Sequence, residues 1–182
     1  MKDFLTQLAL AHQKHEGYGT KNAFTITKHN NPGALRWHPG QRVFGGQKHR
    51  AFTIFPNYNL GFQALKADLR AKITGHSQWI DYSNNPTLLD YIKVYAPSSD
   101  NNYPVGYAQA VIADLPKYKL SLSTPLENMA RLITGKRTVF NRMSDTLRRI
   151  VDRVAARKRA RLTGRFNSRT LSGKERPLHN RS

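Results

Sequence analysis

The chain has 182 residues, with 30 Lys and Arg against 11 Asp and Glu, a net charge of +19 and no cysteine. This length suffices for one domain with a hydrophobic core and an appendage, and the lack of cysteine excludes disulfides and thiolate metal sites. No apolar run approaches the roughly 20 residues of a membrane-spanning helix, and the N-terminal segment, which contains Asp3 and Gln7, does not read as a signal peptide.

The positive charge is concentrated near the C-terminus. Residues 131–182 hold 16 Lys and Arg against 3 Asp and Glu, a net of +13, whereas residues 1–130 have a net of +6. We therefore expect two parts, a folded domain over residues 1–120 and a strongly basic tail over residues 121–182. Apolar residues at helical spacing predict an amphipathic helix at about 138–161 within this tail, followed by a polar end that we expect to be disordered.

Apolar residues three and four apart predict helices over residues 3–16 and 60–73. Two more helices are expected over residues 86–97, between Pro86 and Pro97, and over residues 104–116, which end at Pro116. Residues 17–50 are rich in Gly, Asn, Pro and Lys, and the β-favouring pieces FTIT and RVF within them predict a long loop-and-hairpin region. The segment AFTIF (51–55) predicts a short strand. The expected fold class is therefore α+β, mainly α, with a small hairpin region and a basic helical tail.

Glu16 stands at the end of the first predicted helix, directly before Gly17. The C-terminus of a helix carries partial negative charge, so a carboxylate there is disfavoured, and the same field raises the pKa of a carboxyl group. A carboxylic acid that stays protonated near neutral pH is what cleavage of a glycosidic bond needs, because the leaving oxygen must receive a proton. A solvated surface charge is the plain alternative for this residue.

The segment HNNPGALR (29–36) predicts a tight bend. Proline fixes its own backbone and biases the preceding residue to an extended conformation, and the glycine after it tolerates a positive φ. Asn30 and Asn31 offer amide donors and carbonyl acceptors that suit acetamido and hydroxyl groups, and Arg36 adds a cation. We therefore predict that Asn30, Asn31 and Arg36 bind substrate, with a purely structural turn as the alternative.

These motifs occur in a characteristic order: Glu-Gly-aromatic-Gly, Asn-Asn-Pro-Gly-x-Leu-Arg, FGG, FTIFPNYNLGFQAL and TLLDYIKVYAP. In this order, over roughly residues 3–115, the chain resembles phage-encoded, often virion-associated, lysozyme-like lytic transglycosylases. These belong to the superfamily of soluble lytic transglycosylases and goose-type lysozymes. The resemblance implies a mostly helical lysozyme-like fold, no cofactor, and a catalytic glutamate that falls on Glu16. Two positions depart from the usual pattern: Gly17 stands where the superfamily has serine, and Ala34 where many relatives have a polar residue.

Two tyrosines complete the predicted substrate site. Tyr95 lies at the end of one predicted helix, and Tyr107 lies near the start of the next, which faces the cleft in a lysozyme-like fold. Aromatic rings cover the apolar faces of sugars while their hydroxyl groups bind polar partners, although core packing is the alternative for each. Most glycosidases use two carboxyl groups, and Asp100 is the candidate for a second. Asp68, Asp90 and Asp114 are instead expected to be exposed or to cap helices.

A lytic transglycosylase needs no second carboxylate, because the 6-hydroxyl of the sugar attacks its own anomeric carbon with help from one acid. The lack of a convincing partner for Glu16 therefore favours this reaction over a two-carboxylate hydrolase. A metal site is not expected. His12, His15 and Glu16 lie within one helical turn, but the sequence HQKHE lacks the i, i+4 histidine pair of zinc proteases.

The basic residues 131–182 fit an anionic envelope surface or packaged nucleic acid. Arginine outnumbers lysine there by 13 to 3, which favours bidentate contacts with phosphate. The leading hypothesis is thus an enzyme that cleaves the β-1,4 MurNAc–GlcNAc linkage of peptidoglycan strands and acts from a virion or in the host cell envelope and periplasm, with other virion proteins as further partners. The competing hypothesis is a non-enzymatic virion structural or nucleic-acid-binding protein on a lysozyme-like scaffold.

Overall fold

The computed structural model describes residues 3–135, which belong to a compact unit spanning Met1–Asn141. This unit extends beyond residue 120, the domain boundary expected from the sequence, because the helix over Leu126–Thr134 packs into its core. The predicted amphipathic helix at about 138–161, and the basic residues 131–182 except for the first five, lie outside the described residues.

The described part of the chain is mainly helical, with one small antiparallel sheet, so the α+β, mainly α, part of the expected class is confirmed. The helices are α1 (Phe4–His15), α2 (Phe24–Lys28), α3 (Tyr58–Ile73), α4 (Leu88–Tyr95), α5 (Pro104–Ala113) and α6 (Leu126–Thr134), and the strands are β1 (Gln47–His49) and β2 (Phe52–Ile54). The strands pair in the register Gln47 to Ile54. None of the helices described here is both long and apolar enough to cross a membrane.

Local signals start and orient the helices. The Asp3 side chain accepts a hydrogen bond from the Thr6 N–H at the start of α1, and Asn57 does the same for Leu60 at the start of α3. Thr87 and Asp90 form a reciprocal capping box on α4. The apolar faces of these helices, with those of α5 and α6, form one core. Its largest fully buried side chains include Leu8, Leu65, Leu69, Leu88, Tyr91, Ile92, Leu126 and Met129.

Two of the β-favouring pieces fold as helix, so the strand interpretation of both is wrong. FTIT lies in α2, and RVF lies in a 3-10 helix over Pro39–Phe44. The backbone N–H groups of His29 and Asn31 donate to the carbonyls of Thr25 and Ile26, which gives the segment helical hydrogen bonding that a strand there would lack. β-Branched residues disfavour helix by only tenths of a kcal/mol each, so such local hydrogen bonds and packing override their preference.

The bend after α2 packs directly against α3. A Cβ atom added at Gly61 in the first turn of α3 would lie 1.8 Å from the backbone oxygen of Asn30. Asn30 itself has a φ of +52°, a conformation that asparagine tolerates better than most residues. The absence of a side chain at Gly61 therefore allows the bend to approach the helix and fixes where residues 31–36 enter the site.

Replacing Gly61 with Ala should lower the free energy of unfolding by about 3 kcal/mol or more, because neither backbone can move without disturbing the core. Denaturant unfolding measures this. Gly106→Ala is the matched helical control, since its Cβ would meet only the ring of Tyr103, which is 72% exposed and free to rotate. We expect a change within about 1 kcal/mol there. Equal losses in the two variants would contradict the close approach of the bend to α3.

Candidate active site

A cleft of about 1230 Å³ crosses the described unit. Its walls come from the end of α1, the segment 33–44, one face of α3, the loop 76–79 and the segment from the end of α4 to residue 102. Glu16, Arg36, Tyr95 and Asp100, four of the residues predicted for the site, line it. A groove that combines apolar walls with a few polar groups is the usual form of a ligand-binding site.

Glu16 caps the C-terminus of α1, as the sequence predicts. Its backbone N–H donates to the His12 carbonyl at 2.9 Å, and Gly17, with a φ of +72°, ends the helix. The side chain is half-buried, and its Oε1 atom accepts a hydrogen bond from the Tyr107 hydroxyl at 2.9 Å. Burial raises the pKa of the Glu16 carboxyl group, and the hydrogen bond from Tyr107 opposes this only in part. Glu16 therefore has the environment of a general acid.

Tyr107 connects Glu16 to a buried histidine. The Nδ1 atom of His12 lies 2.9 Å from the Tyr107 hydroxyl, and its Nε2 atom lies 2.7 Å from the hydroxyl of Tyr91. Burial lowers the pKa of His12 to about 3, helped by the positive charges of His15 and Lys72. His12 is therefore a neutral imidazole at physiological pH, and four side chains from α1, α4 and α5 form one hydrogen-bonded row that ends at the carboxyl group.

Asn31 has a different role from the predicted one. Its side chain is fully buried, its Nδ2 donates to the carbonyls of Leu35 and Thr53 at 3.0 Å each, and its Oδ1 accepts from the Leu35 N–H at 2.8 Å. These bonds use both donors and leave no exposed atom for a ligand. The predicted substrate contact of Asn31 is therefore corrected to a structural role, because its amide closes the bend over residues 31–35 onto β2.

Asn30 does not line the cleft in this structure. Its Nδ2 donates to the Phe55 carbonyl at 3.1 Å. This hydrogen bond agrees with the alternative considered for the motif, a structural turn, and a substrate contact of Asn30 stays a prediction. The bend acts on the site indirectly, because it carries Gly33 to Arg36 into the cleft wall.

Arg36 and Asp100 both lie in the cleft, but they bind each other. The Arg36 Nη2 atom donates to Asp100 Oδ2 at 2.7 Å, and the guanidinium lies 5.9 Å from the centre of the Phe52 ring. The pair joins the 31–36 bend to the segment after α4. In this structure the carboxylate of Asp100 is therefore held by a cation, and Arg36 remains partly exposed to a ligand through its other nitrogen atoms.

The ring and the hydroxyl group of Tyr95 make different contacts. The hydroxyl donates to the Gly33 carbonyl at 2.7 Å, and the ring packs edge-on against His12 with centroids 4.4 Å apart. The hydroxyl is therefore used to hold the bend in place, while the residue still lines the cleft. Burial raises the pKa of Tyr95 well above its usual value, so the hydroxyl stays protonated and remains a donor.

Trp79 and Asp68 line the cleft although neither was predicted for the site from the sequence. Trp37 and Trp79, the only tryptophans of the chain, both line the groove, and Trp79 is 69% exposed. Asp68, expected to be exposed or capping, also faces the cleft, where it forms an ion pair with Lys72 and its Oδ2 atom is buried without a hydrogen bond. Trp79 lies in the loop directly after α3, and only the fold brings this loop to the same cleft as Trp37.

The described residues hold no group of three or more His, Asp or Glu side chains arranged to bind a metal ion. Comparisons of the chain with protein-family models, with curated proteins and with solved structures found no match.

Replacing Glu16 with Gln should raise the free energy of unfolding at neutral pH and have little effect in acid. A carboxyl group whose pKa is raised on folding contributes its full stability below its ordinary pKa, 4.5 for this group, and that contribution is lost as pH rises through the folded value. Gln is neutral throughout and avoids the loss. Urea unfolding at a series of pH values from about 4 to 8 measures the difference.

Asp114→Asn is a control of opposite sign. The hydrogen bond from Lys14, at 2.6 Å, lowers the pKa of Asp114, so this carboxylate stabilises the fold above its ordinary pKa and the benefit disappears as pH falls through the lowered value. Asp114→Asn should therefore destabilise the protein at neutral pH. A loss of stability at neutral pH in both variants would show that Glu16 is not held in an unfavourable environment for its charge.

Proposed function

We propose that this protein is a lysozyme-like glycosidase that cleaves the β-1,4 MurNAc–GlcNAc linkage of peptidoglycan as a lytic transglycosylase. The observation that carries the proposal is the Glu16 carboxyl group, which lines the cleft with a pKa raised by burial and has one oxygen bound to Tyr107. Its other oxygen, Oε2, has no hydrogen bond among residues 3–135 and is available to a ligand. A long helix that ends in such a glutamate agrees with the family resemblance.

The proposed reaction uses Glu16 twice. Protonated Glu16 gives its proton to the glycosidic oxygen as the bond from that oxygen to C1 breaks, which leaves an oxocarbenium-like sugar stabilised by its own acetamido group. The resulting carboxylate then takes the proton of the sugar's 6-hydroxyl, and O6 bonds to C1 to close a 1,6-anhydro ring. Glu16 ends protonated as it began, and no water is consumed.

The other carboxylates of the cleft support a one-carboxylate mechanism. Asp100 is paired with Arg36, and Asp68 is paired with Lys72, so each already has a cationic partner. A general base that activates water needs an available carboxylate on the far side of the sugar ring. Asp100 remains the candidate for that role if the products prove to be hydrolytic, since a bound glycan that engages Arg36 would release it.

The aromatic residues of the cleft favour a sugar as ligand. Trp37 and Trp79 present flat apolar faces that suit the C–H faces of hexoses, and Arg42 lies 5.7 Å from the ring of Trp37. Arg36 supplies a donor for the carboxylates and carbonyl oxygens of the glycan and its peptides. Action from a virion or in the host periplasm, with an anionic surface bound by residues 131–182, belongs to the same proposal.

The competing function, a non-enzymatic virion structural or nucleic-acid-binding protein, is favoured by one observation, the net charge of +13 in residues 131–182. Binding through phosphate contacts would weaken steeply with salt and would depend on that segment. An enzyme should instead keep its activity on soluble glycan fragments at moderate salt, because such substrates need only the cleft.

The decisive test is digestion of purified peptidoglycan by the intact protein and by Glu16→Gln, with the products identified by mass spectrometry. We expect muropeptides lighter by one water than hydrolysis products, and a fall in rate of about 1000-fold or more in the variant, since the acid is lost. Reducing-end products would keep Glu16 but identify a hydrolase. No release from the walls of several hosts by a folded protein would overturn the enzymatic proposal.

Trp79→Ala should weaken binding of soluble GlcNAc–MurNAc oligomers about fivefold without changing stability. A stacked sugar contributes about 1 kcal/mol, and the exposed indole contributes little to the core. Isothermal titration calorimetry measures the affinity. Val43→Ala is the matched control, because Val43 is 80% exposed but does not line the cleft. Equal affinity in both variants would remove Trp79 from the glycan site.

A further inference from the structure

Tyr91, His12, Tyr107 and Glu16 form a row of hydrogen bonds. The direction in which its members donate follows from Tyr91, at the far end of the row. This side chain is fully buried, and among residues 3–135 the partner of its hydroxyl is His12 Nε2, at 2.7 Å. A buried hydroxyl proton without an acceptor is costly, whereas a hydroxyl oxygen that accepts nothing is tolerated more easily. Tyr91 therefore donates to Nε2. The reverse arrangement, Nε2–H donating to Tyr91, would leave the Tyr91 proton with no acceptor.

The tautomer of His12 follows from this bond. The neutral imidazole carries one N–H, and if Nε2 accepts from Tyr91 the proton must be on Nδ1. Nδ1–H then donates to the Tyr107 oxygen at 2.9 Å. Tyr107 has its own proton left to donate, and the atom in reach is Glu16 Oε1, at 2.9 Å. Each donor in the row thus has an acceptor, and each bond points toward the carboxyl group.

We propose that His12 and Tyr91 are positioning residues that fix Tyr107 as a hydrogen-bond donor to Glu16 Oε1 and so place the acidic proton of Glu16 on Oε2. An oxygen that accepts from Tyr107 serves as the carbonyl oxygen of the protonated acid. If His12 had the opposite tautomer, Tyr107 would donate to Nδ1, and Glu16 would donate its proton inward from Oε1 to Tyr107. The proton would then be unavailable to a substrate.

Charged groups near the row influence it electrostatically but are not members of its chain of hydrogen bonds. His15 on α1 is hydrogen-bonded to Asp114 at 3.0 Å, and on α3 Lys72 is paired with Asp68. Burial and, to a smaller extent, coulombic interactions with His15 and Lys72 disfavour a proton on His12, which preserves the neutral form that the direction of the row requires. From α4, Tyr95 faces His12 with its ring and donates its hydroxyl proton to Gly33. The centre of its ring lies 6.0 Å from that of Tyr107, and Tyr95 offsets part of the rise that burial causes in the pKa of Tyr107.

The tautomer is measurable in the full chain whether or not the protein is an enzyme. In protein labelled with ¹⁵N-histidine, His12 is assigned through its contacts with the rings of Tyr91 and Tyr107. We expect a protonated, pyrrole-type Nδ1 and an unprotonated, pyridine-type Nε2 at neutral pH. An Nε2–H tautomer or an imidazolium at this pH would overturn the proposal, and this result needs no variant to fold.

Tyr91→Phe should remove the group that selects the tautomer, so that His12 becomes a mixture of both neutral forms. Tyr95→Phe is the matched control, because it removes a buried hydroxyl from the same helix that does not bind His12, and the Nδ1–H form should persist. A single Nδ1–H form in both variants would show that Tyr91 does not set the direction.

The catalytic consequence rests on the proposed function and is measured separately. On soluble glycan, Tyr91→Phe should lower kcat about two- to tenfold with KM unchanged, because part of the enzyme would hold the proton on Oε1. An unchanged kcat, or a change in KM alone, would overturn the positioning role. If the wild-type protein cleaves no glycan while His12 is Nδ1–H, the proposed function fails and the direction of the row stands.

Discussion

The hydrogen bond from Tyr107 to Glu16 joins the end of α1 to the first turns of α5, and the proposed chemistry of the cleft depends on it. It holds one oxygen of a half-buried carboxyl group that lines the groove. Burial disfavours the ionised form of Glu16 and raises its pKa, and the hydrogen bond from Tyr107 offsets part of this effect. The site therefore combines a carboxyl group that ionises reluctantly with a fixed orientation, which are the two properties that a general acid needs.

This arrangement has a cost in stability that the rest of the unit must offset. A raised pKa means that the folded state is penalised when Glu16 ionises, and His12 is buried as a neutral base with its proton affinity suppressed. The packed faces of α1, α3, α4, α5 and α6 supply the compensating burial of apolar surface. Strained or desolvated groups that persist in a well-packed scaffold are typical of functional sites.

The sequence alone was sufficient to predict the features that depend on local signals, such as helices and their ends. The spacing of apolar residues predicted α1 and α3, the bounding prolines predicted α4 and α5, and the stop at Gly17 placed Glu16 at a helix end. FTIT was misread as strand because β propensity is weak against the hydrogen bonds that tertiary context provides. Asn31 was misread as a substrate-binding residue because the sequence shows that an amide side chain is present but not which way it points.

The remainder of the site could not be predicted because it is made by contacts between distant residues. His12 meets Tyr91 79 residues away and Tyr107 95 residues away, and Trp79 shares the cleft with the distant Trp37. Periodicity placed Tyr91 on the same helix as Tyr95, but it did not show that one hydroxyl faces His12 and the other Gly33. Such choices are set by packing geometry, which one sequence read alone does not contain.

The most direct measurement is a crystal structure of Glu16→Gln with a bound GlcNAc–MurNAc oligomer, since the amide mimics the protonated acid. We predict that Tyr107 donates to the amide oxygen, that the amide nitrogen lies about 2.6–3.2 Å from a glycosidic oxygen, and that sugar rings lie against Trp37 and Trp79. A glycan bound away from residue 16, or an amide nitrogen that faces Tyr107, would contradict the assignment of Glu16 as a general acid that acts through Oε2.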